Sequence, residues 1–142
     1  MALALVDTNV LVYRFDSRFP RKQQIATALL RRGLAEGTVR IPHQAVVELV
    51  RAATRPQKGD RPILPAEEAR REAEDLLNQF EVLYPNDAVV RMALRGAATY
   101  HLAWWDAHLW AYAECYGLGE LLSEDFEHGR FYGTVRAVNP FH

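Results

Sequence analysis

At 142 residues, with 49% hydrophobic and 25% charged side chains, the chain has the composition of one globular domain and is too apolar for disorder. A formal net charge of −1 excludes the broad basic field of a general nucleic-acid binder. No apolar run approaches the roughly 20 residues of a membrane span, and the single Cys115 excludes both an intramolecular disulfide and a cysteine-based zinc site, which favours the cytoplasm.

In chain order, the opening run Met1–Val6 lacks a basic n-region and meets Asp7 at once, against a signal peptide. Ala2–Val6 reads as a buried strand, followed by Asp7, Thr8 and Asn9, with Thr8 able to cap a short helix through Phe15. Arg21–Glu36 is apolar at Ile25, Ala28, Leu29, Leu30, Leu34 and Ala35 and ends at Gly37, which predicts an amphipathic helix. Thr38–Ile41 predicts a short strand stopped by Pro42, and His43–Arg55 a helix ended by Pro56. Pro56–Pro62 is a loop rich in breakers. Pro65 opens a helix reaching about Phe80, with Glu67 and Glu68 in the first turn as the helix dipole favours. Glu81–Leu83 is a strand; Asp87–Tyr100 and Asp106–Tyr116 are helices, the second closed by Gly117; Glu120–Leu122 and Val135–Val138 complete the strands. This alternation predicts an α/β fold of three α/β/α layers, with a mostly parallel central sheet of about five strands.

Four acids stand where apolar elements meet something else. Asp7 ends the first strand, Glu48 lies within Ala45–Val50, Asp106 follows Trp104 and Trp105, and Asp125 follows Leu121–Glu124. An ionised carboxylate in apolar surroundings needs a partner, because desolvating it is expensive. In a parallel sheet ligands bind outside the carboxyl ends of the strands, where Asp7 and Asp125 both fall. The four acids therefore point to a shared cation of the oxygen-ligated kind, Mg2+ or Mn2+, and to a metal-dependent enzyme that activates water at a phosphoryl group. Sequestering four acids at one site also makes the net charge a poor guide to partners.

The segments Leu5–Tyr13, Ala45–Leu49, Trp105–Ala107 with its alanine-rich helix, Leu121–Phe126 and the tail Asn139–Phe141 together resemble a PIN-domain ribonuclease, and within that family a VapC-type toxin. The resemblance covers nearly the whole chain in the right order and implies a single PIN domain over residues 1–142. It implies a Mg2+- or Mn2+-dependent endoribonuclease that hydrolyses RNA phosphodiesters and leaves a 5′-phosphate. Asp7, Glu48, Asp106 and Asp125 match the family's metal-coordinating, catalytic acids. Asn9 matches a residue that orients the first acid, and Ser123 a hydroxyl residue near the metal. The family pattern also selects Asp125 over its neighbour Glu124, which on an extended segment points the other way. Implied partners are RNA, a small antitoxin, a second copy in a homodimer, and operator DNA through the antitoxin; no membrane is implied. The chain departs from the pattern before Glu48, where His43 and Gln44 stand in place of a frequent Ser or Thr.

Other residues admit plainer readings. Trp104, Trp105 and Trp110 could stack on bases but read first as core, and His43 and His108 as packing residues. His128 and Arg130 could meet a phosphate or simply form a solvated loop. Ile25, Leu29 and Leu30 could face a partner or the interior. Two lysines, Lys22 and Lys58, leave fifteen of the seventeen cations as arginine, a residue suited to phosphate. No lysine follows Lys58, against a receiver domain; position 9 is Asn, against a haloacid-type phosphatase; no glycine-rich turn follows the first strand, against a dinucleotide site. The remaining alternatives are a PIN-like module that binds RNA or protein without cleaving it, and a housekeeping RNA-processing nuclease.

Overall fold

The structure, a computed structural model, describes all residues except Met1, Lys58 and Asp60, so the expectations for the start of the opening run and for part of the Pro56–Pro62 loop lie outside the described residues. β1 (Ala4–Val6) is wholly buried and gives way directly to α1 (Thr8–Tyr13). Asp7, rather than Thr8, caps that helix. Its extended backbone sets the carboxylate beside the unpaired first amide, and Oδ1 accepts from the Thr8 N–H at 2.6 Å. α2 (Pro20–Glu36) begins at Pro20, whose fixed φ suits a first turn, and ends at Gly37 in the left-handed region with φ 68°. β2 (Val39–Pro42) takes Pro42 as its last residue, and α3 (His43–Thr54) follows without a loop.

α4 (Ala66–Gln79) and β3 (Glu81–Leu83) come next, then α5 (Asp87–Tyr100), capped by Asn86, whose side chain accepts from the Val89 N–H at 3.0 Å. α6 (Trp104–Cys115) starts two residues before the predicted point, which puts Asp106 inside its first turn. β4 (Glu120–Leu122), β5 (Phe131–Tyr132) and β6 (Val135–Val138) complete the chain.

The sheet has six strands in the order β3-β2-β1-β4-β6-β5, one more than expected. All neighbours are parallel except β5 and β6, an antiparallel hairpin turning through Gly133 at φ 62° and Thr134. A two-residue strand carries no period for a sequence to display. Alternate residues of β1 feed two cores. Ala4 and Val6 join Leu11, Leu30, Ile41 and Leu49 on the face covered by α1–α4, while Leu5 joins Val89, Trp110 and Tyr112 beneath α5 and α6. That is the three-layer α/β/α arrangement. Among the described residues no helix is long and apolar enough to cross a membrane.

The chain steps outward from β1 to β2 and β3, then returns to the opposite side of β1 with β4. Strand order thus reverses between β1 and β4, and the carboxyl ends of these two strands flank a crevice. The Asp7 N–H bonds the Leu122 carbonyl at 3.0 Å across this join. The fold has set the first acid at the reversal.

Candidate metal centre

Three of the four predicted acids converge. One carboxylate oxygen each from Asp7, after β1, Asp106, in the first turn of α6, and Asp125, after β4, lie within 4.8 Å of one another. Glu48, on α3, stands beside this trio and is not one of it. Its Oε2 accepts from the Thr8 hydroxyl at 3.0 Å, and its charge reaches Asp106. Gln44, one turn earlier on α3, donates to Glu48 Oε1 at 3.4 Å and to the Trp105 carbonyl at 3.3 Å, linking α3 to α6. The polar contacts of Glu48 therefore come from Thr8 and Gln44, in a chain without Ser or Thr just before that acid. Thr8 was legible only as a helix cap, because its contact with Glu48 spans 40 residues.

Asn9 and Ser123 bind the acids together. Asn9 Nδ2 donates to Asp7 Oδ2 at 3.3 Å and to Asp125 Oδ2 at 3.1 Å. The Ser123 hydroxyl donates to Asp7 Oδ2 at 2.6 Å and accepts from the Asp125 N–H at 3.0 Å. Glu124 turns away, as the alternation of an extended segment requires, and accepts from the Tyr13 hydroxyl at 2.7 Å and Lys22 Nζ at 2.8 Å.

Electrostatics make the trio costly. Burial, aided by the nearby Asp125 and Asp106 charges, pushes the Asp7 carboxyl up from 3.8 to about 7, against hydrogen bonds from Ser123 and Thr8 that lower it. Asp106 is raised too, by burial first and then by Asp125 and Glu48. A cation would reverse both effects. The donors are all oxygen, the type Mg2+ and Mn2+ prefer. Asn9 Oδ1 is buried without a hydrogen-bond partner, an acceptor that the water of a hydrated ion would satisfy. The residues present fit an oxygen-ligated divalent ion.

The family model of the PIN domain matches residues 4–133. The chain belongs to the PIN domain family. No curated protein matches it. Solved structures similar to this PIN domain include a toxin–antitoxin complex from Klebsiella pneumoniae, at TM-score 0.67 and 21% identity over 96% of this chain and 97% of that one. DNA-bound VapBC from Salmonella typhimurium gives 0.70 and 15% over 96% and 97%. VapC20 of Mycobacterium tuberculosis, a sarcin–ricin loop cleaving toxin, gives 0.60 and 14% over 83% and 86%. At these identities the likeness carries the fold.

Of the remaining residues singled out in the sequence, Trp104 and Trp105 differ from expectation. Of the tryptophans only Trp110 is core, its Nε1 donating to the Tyr132 carbonyl at 2.8 Å. Trp104 and Trp105, the first two residues of α6, are exposed, while the buried residues of that helix run from Ala107 to Ala113. His43 packs on Tyr84 and His108 on Trp104, as packing residues. His128 accepts from the Asn139 N–H at 2.9 Å and stacks on His142, while Arg130 pairs with Glu127 and covers Tyr132. These contacts serve the C-terminal loop. Leu30 is buried, and Ile25 and Leu29 pack partly against the same core.

Proposed function

We propose that this PIN domain is a divalent-metal-dependent endoribonuclease and the toxin of a toxin–antitoxin pair, acting in the cytoplasm as one domain over residues 1–142. The observation that carries the reading is the convergence of Asp7, Asp106 and Asp125 within 4.8 Å at the reversal of strand order. Three carboxylates kept together at this expense have little purpose in a module that only binds. The description of VapC20 as a toxin cleaving the sarcin–ricin loop supports RNA as the substrate, and the Klebsiella and Salmonella complexes support an antitoxin partner. The DNA in the Salmonella complex supports operator binding through that antitoxin. A homodimer follows from the family resemblance.

Asp7, Asp106 and Asp125 would hold Mg2+ or Mn2+, with Glu48 beside them as the fourth acid. A bound ion of this kind supplies an activated water and stabilises charge on a phosphoryl oxygen. The chain's own residues prepare the site. Ser123 and Asn9 fix the orientation of Asp7, and Asn9 ties Asp125 to it. Thr8 and Gln44 hold Glu48 at the edge of the trio. Asp7 is buried while Asp106 is half-buried and Asp125 exposed, so the trio runs from the interior to the open crevice, within reach of water and substrate.

Incubation of purified protein with tRNA, ribosomal RNA and messenger RNA in Mn2+, with mapping of cut ends, tests the reading. Discrete cuts that EDTA abolishes, and that Asp7→Asn or Asp106→Asn lack, are expected. Cleavage that survives excess EDTA, or that both variants perform at the parental rate, overturns it.

A further inference from the structure

Two openings meet at the acids. One, of about 340 Å³, lies over Asp7 and Asp125 and reaches Arg18 and Phe19. The other, of about 670 Å³, runs from Thr8 and Glu48 along α3 to the first turns of α6. Thr8, Glu48, Ala52 and Arg55 line both, which makes them two arms of one groove that bends over the acidic centre.

The larger arm is unlike the smaller. Val47, Trp105 and Tyr112 give it a mostly apolar wall. Trp105 is 61% exposed and Val47 57%, so the protein's own packing leaves this apolar surface uncovered. The Trp105 ring tilts against His108 at 5.6 Å, and the residue's backbone carbonyl accepts from Gln44 at 3.3 Å, which ties the start of α6 to α3. Arg51 and Arg55 line the same arm, both exposed, and neither joins an ion pair among the described residues. One arm thus offers an uncovered aromatic face and two unmatched guanidinium groups, and it opens onto carboxylates suited to phosphoryl chemistry.

A flat apolar face and a pair of phosphate-binding cations are the two halves of what a nucleotide presents. An apolar peptide would use the indole but leave Arg51 and Arg55 without counter-charge. We propose that this arm is a subsite for an unpaired nucleotide next to the phosphodiester held at the acids, its base stacked on Trp105 and its backbone phosphates met by Arg51 and Arg55. This rests on the endoribonuclease reading and deepens it. A base within a duplex cannot present its face to Trp105, so the subsite selects single-stranded segments and loops.

Binding measured in the Asp7→Asn background tests the proposal, using a labelled single-stranded RNA oligonucleotide, the same sequence as a duplex, and an abasic ribose-phosphate chain of equal length. Trp105→Ala should weaken single-strand binding about 10-fold, the size of one lost stack. Trp105→Phe should restore most of the loss, and Trp105→Ala should leave abasic-chain binding unchanged. Arg51→Ala and Arg55→Ala should weaken all three probes and flatten the salt dependence. Thermal melts of each variant confirm folding, which the exposure of Trp105 protects. Trp105→Ala binding RNA as tightly as its parent overturns the subsite, as does an absence of RNA binding by the parent. Loss of a co-expressed protein partner on Trp105→Ala, with RNA binding intact, assigns the arm to that protein instead. Failure of the nuclease reading shows separately, as wild-type protein that leaves RNA whole in Mn2+.

Discussion

The hydroxyl of Ser123 donates to Asp7 Oδ2 at 2.6 Å, joining two buried side chains just past the ends of β4 and β1, strands that meet only in the folded sheet. The same oxygen accepts from the Asp125 N–H, so one hydroxyl orients two of the three clustered acids. Ser123→Ala should cost about 1–3 kcal/mol, because it strands a buried acceptor and a backbone donor. It also removes the strongest influence lowering the Asp7 carboxyl. The acid limb of the RNA-cleavage profile should therefore move to higher pH, since more alkali is needed to ionise Asp7. Melting and a pH–rate profile measure both effects; an unshifted acid limb would separate Ser123 from Asp7.

The raised Asp7 carboxyl makes metal-free stability depend on pH with a definite sign. Its folded value of about 7 exceeds the ordinary 3.8, so the folded state binds the proton more tightly. Asp7's contribution to stability is then fully present below about 4 and is lost as pH rises through 7. At about 1.4 kcal/mol per unit the decline is on the order of 4 kcal/mol. Asp106 shifts in the same direction and adds to it. In EDTA, Asp7→Asn should flatten this slope and melt above the wild type at pH 8. Parallel stability curves for the two proteins would contradict the burial argument.

A divalent ion that binds only the folded site should reverse that loss. Free Mn2+ at 100 times its dissociation constant stabilises by about 2.7 kcal/mol, which raises Tm by roughly 5–10 °C at this chain length. Asp7→Asn should show little of this rise. Equal Mn2+ shifts in the two proteins would mean that Asp7, Asp106 and Asp125 do not share an ion.

Gly96 on α5 tests how tightly the two helices behind the site are packed. A Cβ added there would land on the ring of Trp110, which cannot retreat because its Nε1 is bonded to the Tyr132 carbonyl at 2.8 Å. Gly96→Ala should destabilise by about 1–3 kcal/mol despite alanine's better helix propensity. A Tm equal to or above the parent's would show that α5 and α6 can move apart at no cost.

What the chain determines on its own is the part written in local patterns. Apolar runs bounded by Gly, Pro and acids are enough to read β1, β2, β3, β4 and β6 and the helices between them, and alternation alone implies a parallel sheet covered on both sides. Asp7 stands out because it directly follows such a run, and Asp125 because it comes three residues after the end of another. Tertiary structure decided everything that depends on which distant surfaces meet. The β5 hairpin exists because β6 offers it an edge, not because two residues favour a strand. Thr8 binds Glu48, and Asn9 bridges Asp7 to Asp125, across 40 and 116 residues, distances over which no periodicity is informative. Trp105 and Trp110 look alike in sequence because α6 is apolar on nearly every side. Only the layer packed against that helix distinguishes them: sheet and α5 close over Trp110, while Trp105 stays largely exposed.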